Sequence, residues 1–134
     1  MVVKGRWKSA LAMGLLWAVV MAAALYYLDL GLDGSTLLIL LFSSIFLMVL
    51  GLIIYMGGAM LLAGYNTMSK EQRAQYNVNE ITSFMGALLV LLSIVAFFMV
   101  FYLVLIAVFI GATIVAVIYV NVSKRFKADM PRRL

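Results

Sequence analysis

The sequence predicts an all-α fold, an integral membrane four-helix bundle built from two helical hairpins. Three observations carry that reading. Of 134 residues, 67% are hydrophobic and only 11% are charged, far from the balance of a soluble domain. Four apolar runs can be drawn, each near the roughly 20 residues that cross a hydrocarbon core of about 30 Å. With four spans, all ten basic residues fall on one side of the membrane.

The first span covers about residues 9–28. Its start, MVVKGRWKSALAMGLLW, has the basic and apolar pattern of a signal peptide, but the apolar run continues through Ala22 to Ala24 and more spans follow. It therefore reads as a retained helix. DLGLDGST, residues 29–36, supplies a turn at Asp33-Gly34, and Ser35 or Thr36 is placed to cap the next helix. The second span covers about residues 37–63, longer than the bilayer core, so a tilt or a bend at Gly57-Gly58 is expected.

LLAGYNTMSKEQRAQYNVNE, residues 61–80, contains the long polar passage between spans. Gly64 is expected to stop the second helix as a left-handed cap, opening a loop over residues 64–80. Ser69-Lys70-Glu71-Gln72 has the spacing of a capping box and predicts a short helix from about Lys70 to Tyr76. Asn77 or Asn79 then caps the third span, with Glu80 in its first turn, where a negative charge suits the helix dipole. From Ile81 to Val122 there is no formal charge and no proline. That length is twice one span, so the chain must turn back near Met99 to Leu103, where Phe97, Phe98, Phe101 and Tyr102 resemble an interfacial aromatic cluster. The spans are then 81–99 and 103–122, followed by a basic tail, 123–134.

Cytoplasmic flanks collect Lys and Arg. Lys4, Arg6 and Lys8, then Lys70 and Arg73, then Lys124, Arg125, Lys127, Arg132 and Arg133 share one side, leaving Asp29 and Asp33 opposite. A multi-pass protein of the cell membrane with both termini and the long loop cytoplasmic is expected. Trp7, Tyr65, Tyr119 and Phe126 mark the inner boundary, Tyr26 and Tyr27 the outer. Trp17 lies roughly 15 Å inside Trp7 and reads as a packed core tryptophan whose N–H needs an internal partner.

With no cysteine and no histidine, disulfides, thiolate or imidazole catalysis, and zinc, iron-sulfur or haem ligation by these residues are excluded. No Asp, Glu, Lys, Arg or His lies within a span as drawn, which argues against proton-coupled transport. Glu71, Glu80, Lys70 and Asp129 form no recognisable dyad. The expectation is a protein that is not an enzyme, with no catalytic residue, cofactor, metal or nucleic-acid partner. Asp29 and Asp33 read as a solvated turn, since calcium wants six or more oxygens. Asn121-Val122-Ser123 matches a glycosylation triplet on the wrong side of the membrane.

What remains points to contact. Ala10, Gly14, Ala18 and Ala22 form a small-xxx-small stripe suited to packing within the bundle or against an oligomeric partner, and Ala59 with Ala63 and Ala112 with Ala116 are shorter versions. Ser43, Ser44, Ser93 and Thr113 either bond helix backbones or line a cavity for a small solute. The expected partners are the lipid bilayer, anionic lipids at the tail SKRFKADMPRRL with Phe126 dipping into the interface, and a homo- or hetero-oligomeric membrane protein. An accessory subunit or small oligomer is the leading reading, and a transporter or channel-like protein the alternative. Tyr65, Asn66, Thr67 and Met68, which capping leaves unexplained, form the candidate interaction loop.

AGYNTMSKEQRAQYN, residues 63–77, with FMG at 84–86 and YVNVSKRFK at 119–127, resembles a family of small bacterial and archaeal membrane proteins known only as a domain of unknown function. The resemblance spans about residues 48–127. Members share an AGYNTMSKEE-type loop followed by two membrane helices and a basic tail; here VNEITSFMG stands where they tend to carry basic residues and a cysteine. The resemblance implies a three-helix domain plus an added first span, and no known activity. A looser similarity links the pattern G-Y-x-T-x-S-x-E to bacterial membrane immunity proteins that protect a cell from its own toxin, the other alternative.

Overall fold

Four helices, each long and apolar enough to cross a membrane, make up most of the computed structural model, which describes residues 4–62, 64–99 and 101–128. They are α1 (Arg6–Tyr27), α2 (Gly34–Tyr55), α4 (Val78–Phe98) and α5 (Leu103–Val122), with a short α3 (Lys70–Ala74) between α2 and α4. Single 3-10 turns stand at Ala59–Leu61 and Lys124–Phe126. No extended strand occurs among the described residues, only an isolated antiparallel bridge between Tyr76 and Lys127. This is a multi-pass membrane protein with the predicted all-helical bundle.

Local chemistry sets the helix ends, and in three places differently from expectation. α1 starts at Arg6, earlier than Ser9, so its first turn carries the basic flank. α2 is capped by Asp33, not by Ser35 or Thr36. The Asp33 carboxylate accepts the Thr36 amide at 3.1 Å and the Thr36 hydroxyl at 2.6 Å, and takes the Ser35 hydroxyl as well. A carboxylate serves three donors where one hydroxyl would serve a single amide.

The third difference lies at the far end of α2. The expected bend at Gly57-Gly58 is instead a full stop. The Gly57 amide donates to Ile54 O and the Gly58 amide to Ile53 O, both at 3.0 Å, the paired bonds of a Schellman cap with glycine at the left-handed position. Gly57 has φ 122, which a side chain would strain. The cap leaves α2 with 22 residues, about 33 Å, so no unusual tilt is required. Gly64, expected as the cap, lies in the loop beyond, also with positive φ. Ala63, the expected end of the span and a member of the Ala59 pair, lies outside the described residues.

The predicted reversal after the third span is found. α4 ends at Phe98 and α5 begins at Leu103, after an extended Tyr102. Phe97, however, is fully buried and joins Trp17 and Met21 in the core, while Phe98 meets it edge-on at 5.2 Å. Trp17 is the packed tryptophan expected, although its indole N–H has no hydrogen-bond partner among the described residues.

The bundle is organised by an antiparallel seam between α2 and α4, helices from different hairpins, which is by far the largest contact in the fold. Ser44 and Gly51 stand one heptad apart on α2, and Gly86 and Ser93 one heptad apart on α4. Running in opposite directions, they match. The buried Ser44 hydroxyl donates to Ser93 O at 2.7 Å, and the two glycines bring the backbones together. A Cβ on Gly86 would lie 2.5 Å from Tyr55 Cα and 2.6 Å from Tyr55 Cβ, and one on Gly51 2.9 Å from Gly86 O and Val90 N. Lipid offers no hydrophobic drive between helices, so close packing and hydrogen bonds must hold them.

α1 leans on this pair through Ala10, Trp17, Met21 and Ala24, spaced by seven, four and three residues on one helix face. α5 is the least buried: Ala116 is its one buried residue among those described. Gly86→Ala should therefore destabilise the bundle by about 1–3 kcal/mol, because backbone atoms cannot move aside. Gly111→Ala, whose Cβ would meet nothing within 4 Å, should be neutral or mildly stabilising. Thermal midpoints of the two variants in detergent check this, and equal midpoints would contradict the seam.

Candidate functional site

The polar chemistry gathers at one end of the bundle, where residues 4–8, the segment between α2 and α4, and residues 123–128 meet. Three clamps build it. In the first, Arg6 in the opening turn of α1 reaches across the seam: Nη1 donates to Tyr55 O and to Thr82 Oγ1, each at 2.8 Å, and Nη2 donates to Asn79 O. Its guanidinium also stands 5.4 Å from the Tyr55 ring centre. Tyr55 O belongs to the last turn of α2, at the negative end of the helix dipole, which favours a cation. Thr82, fully buried, passes its own proton to Val78 O at 2.9 Å. One half-buried arginine thus ties three helices.

The second clamp orders the candidate loop. Beyond the predicted capping box at Ser69 and Gln72, which is present on both sides, Arg73 on α3 turns back toward Tyr65. Its Nη2 donates to Asn66 O at 2.8 Å and its guanidinium lies 5.3 Å from the Tyr65 ring centre. Thr67 Oγ1 donates to Gly64 O at 2.9 Å and the Met68 amide to Tyr65 O at 3.3 Å. Tyr65, Asn66, Thr67 and Met68 therefore form a turn folded over an arginine. Asn66 and Thr67 are exposed; Tyr65 and Met68 are half-buried and line a groove with Tyr76, Ile81, Met85 and Val117.

The third clamp holds the tail. Phe126 was expected in the lipid interface, but it is fully buried. Its ring packs 5.4 Å from Phe84 on α4 and 5.3 Å from Tyr119 on α5, and those two rings lie 5.4 Å apart. The backbone closes behind it: the Asn77 amide donates to Phe126 O at 2.6 Å, and the Ala128 amide to Gln75 O at 2.8 Å. Arg125 Nε meets Glu80 Oε2 at 2.8 Å, and that hydrogen bond raises the arginine's pKa above its usual value. Asn77, one of the two expected caps of α4, is the one used. Residues 129–134, with Asp129, Arg132 and Arg133, lie outside the described residues.

The remaining candidates are separated in space. Ala10 is buried and Gly14 faces Leu52, whereas Ala18 and Ala22 are exposed, because the inward line of α1 shifts to Trp17 and Met21. Ser44 and Ser93 meet inside the seam, but Ser43 donates to Ile39 O and Thr113 to Phe109 O, each on an exposed face of its own helix. These four residues do not converge on one cavity.

At the opposite end Asp33 is engaged as a cap, its carboxyl held well below the usual range first by the Ser35 hydroxyl and then by Thr36. Asp29 accepts the Gly31 amide at 3.3 Å. Among the described residues no group of three or more metal-ligating side chains assembles.

Sequence reasoning missed Arg6 and Phe126 because both sit in segments that topology alone explains. The spacing of Arg6, Trp7 and Lys8 at the head of a helix offered the one available signal, a cation in a first turn where the dipole disfavours it.

A family described as a domain of unknown function (DUF3784) matches residues 40–125, a stretch that includes both sides of the seam and leaves α1 outside. No curated protein and no solved structure matches the chain.

Arg73→Ala should release the loop turn while sparing the capping box. Amide hydrogen exchange at Met68 is expected to quicken about tenfold, given what hydrogen bonds to charged groups contribute, with α4 amides unchanged. An unaltered Met68 rate would show that the turn does not depend on Arg73.

Proposed function

The chain belongs to the DUF3784 family, and we propose that it acts by protein contact in the cell membrane, as an accessory subunit or small oligomer without enzymatic activity. In this reading the clustered basic end is cytoplasmic, in keeping with the preference of Lys and Arg for that side. The observation that carries it is the sparse cover of α5. That helix rests on α4 along one line of half-buried residues and buries only Ala116 among those described, while Gly111, Ile114, Val115 and Ile118 are exposed. Lipid can cover such a face, and so can a partner helix; the glycine at position 111, with open space before it, suits the close approach of a second backbone.

Two further features support a contact role. Ala18 and Ala22 extend a small-residue line on the outer face of α1, where the bundle does not use them. The turn from Tyr65 to Met68 offers the exposed Asn66 and Thr67 on an arginine-ordered scaffold, and loops held by rigid elements commonly carry recognition. The solute-conducting alternative loses support because its four polar residues do not share a cavity.

Purification in mild detergent followed by native mass measurement should give a discrete dimer, a small oligomer or a complex with a second membrane protein. A strict monomer with nothing co-purifying would overturn the reading.

A further inference from the structure

We infer that the groove between the loop, α4 and α5 is a binding site for one anionic phospholipid. Two adjoining cavities make it. The inner one, about 120 Å³, is walled mainly by apolar side chains, among them Met68, Ile81, Met85 and Val117. The outer one, about 320 Å³, is lined by Gln75, Tyr76, Asn121, Lys127 and Ala128. Tyr76 and Asn121 belong to both linings, so the two share a wall and change from apolar to polar along one path.

The order of the two cavities identifies the ligand. Ile81 and Met85 lie in the first turns of α4 and Val117 near the end of α5, which places the apolar well at the upper acyl-chain depth. Gln75 and Lys127 stand beyond the ends of both helices, at headgroup depth. A membrane lipid presents its chain and its phosphate in that same vertical order. A free phosphate would have no use for the well, and an apolar solute none for the lysine.

The backbone that carries the cation is fixed in place and does not merely trail from a tail. Lys127 forms the backbone bridge with Tyr76, flanked by the bonds from Asn77 to Phe126 and from Ala128 to Gln75, and Phe126 is fully buried beside it. Among the described residues the single ion pair is Glu80 with Arg125, and Lys127 is exposed and lines the outer cavity. With a net charge of +5 over the chain, and basic residues worth about 1 kcal/mol each near an anionic surface, a phosphodiester headgroup is the complementary occupant.

Native mass spectrometry with phosphatidylglycerol and phosphatidylcholine of identical chains tests this. One phosphatidylglycerol per chain should be retained at activation energies that strip phosphatidylcholine. Lys127→Gln should weaken phosphatidylglycerol binding about fivefold and leave phosphatidylcholine unchanged, whereas Lys70→Gln, which lines neither cavity, should alter neither. Val117→Phe, which crowds the well, should weaken both lipids; circular dichroism confirms that the variant keeps its helices, and if it does not, the lysine pair decides alone. Equal retention of the two lipids by the native chain, or equal losses in Lys127→Gln and Lys70→Gln, would overturn the proposal.

Discussion

The contact between Gly51 and Gly86 is the constraint on which the rest of this protein rests. In water, apolar faces are driven together whatever their shape. Between lipid tails that drive is absent, and two helices stay together only if their backbones come close enough for dispersion and short polar bonds to outweigh lipid contact. Here the approach is so close that a single Cβ at residue 86 would collide with the backbone of Tyr55. Ser44 and Ser93, one heptad away, add a buried hydrogen bond at 2.7 Å. Everything else in the bundle is fastened to that pair.

The basic end follows from the seam. Because α2 and α4 run antiparallel, the last turn of α2 and the first turns of α4 sit side by side, and Arg6 can satisfy Tyr55 O, Thr82 and Asn79 together. Glu80 in the same first turn receives Arg125, and Phe84, one turn on, receives Phe126 and Tyr119. α1 and the tail are thus held by α4 at neighbouring levels. α5, in which Ala116 alone is buried among the described residues, is the least covered of the four long helices, and the groove lies beside it.

Much of this was legible in the sequence wherever a local rule decides the outcome. Apolar length gave four spans, and Ser69 with Gln72 gave the capping box, because both ends of each pattern lie within a few residues of one another. That a turn follows the third span was legible from length, and its place near Met99 to Leu103 from the aromatic cluster there. What failed needed tertiary information. Two glycine sites, Gly57 and Gly64, could each have stopped α2, and nothing nearby chooses between them. Phe126 looked interfacial because Phe84, the ring on α4 that buries it, is distant in sequence. The four-residue stripe of α1 drew notice, while the seven-residue spacing of Ser44 with Gly51, mirrored by Gly86 with Ser93, is the seam's own signature. As for the candidate loop, its exposed members were legible, but the arginine that shapes it was read only as topology.

The central claim is that the α2–α4 seam exists in the membrane in this register. The chain has no native cysteine, so paired substitutions report without interference. Ser44→Cys with Ser93→Cys, oxidised in native membranes, should form an intramolecular disulfide in high yield, seen as linked fragments after cleavage in the loop between α2 and α4. Ser43→Cys with Thr113→Cys, on outward faces of α2 and α5, should not. Failure of the first pair to link, or equal linking of the second, would contradict the account.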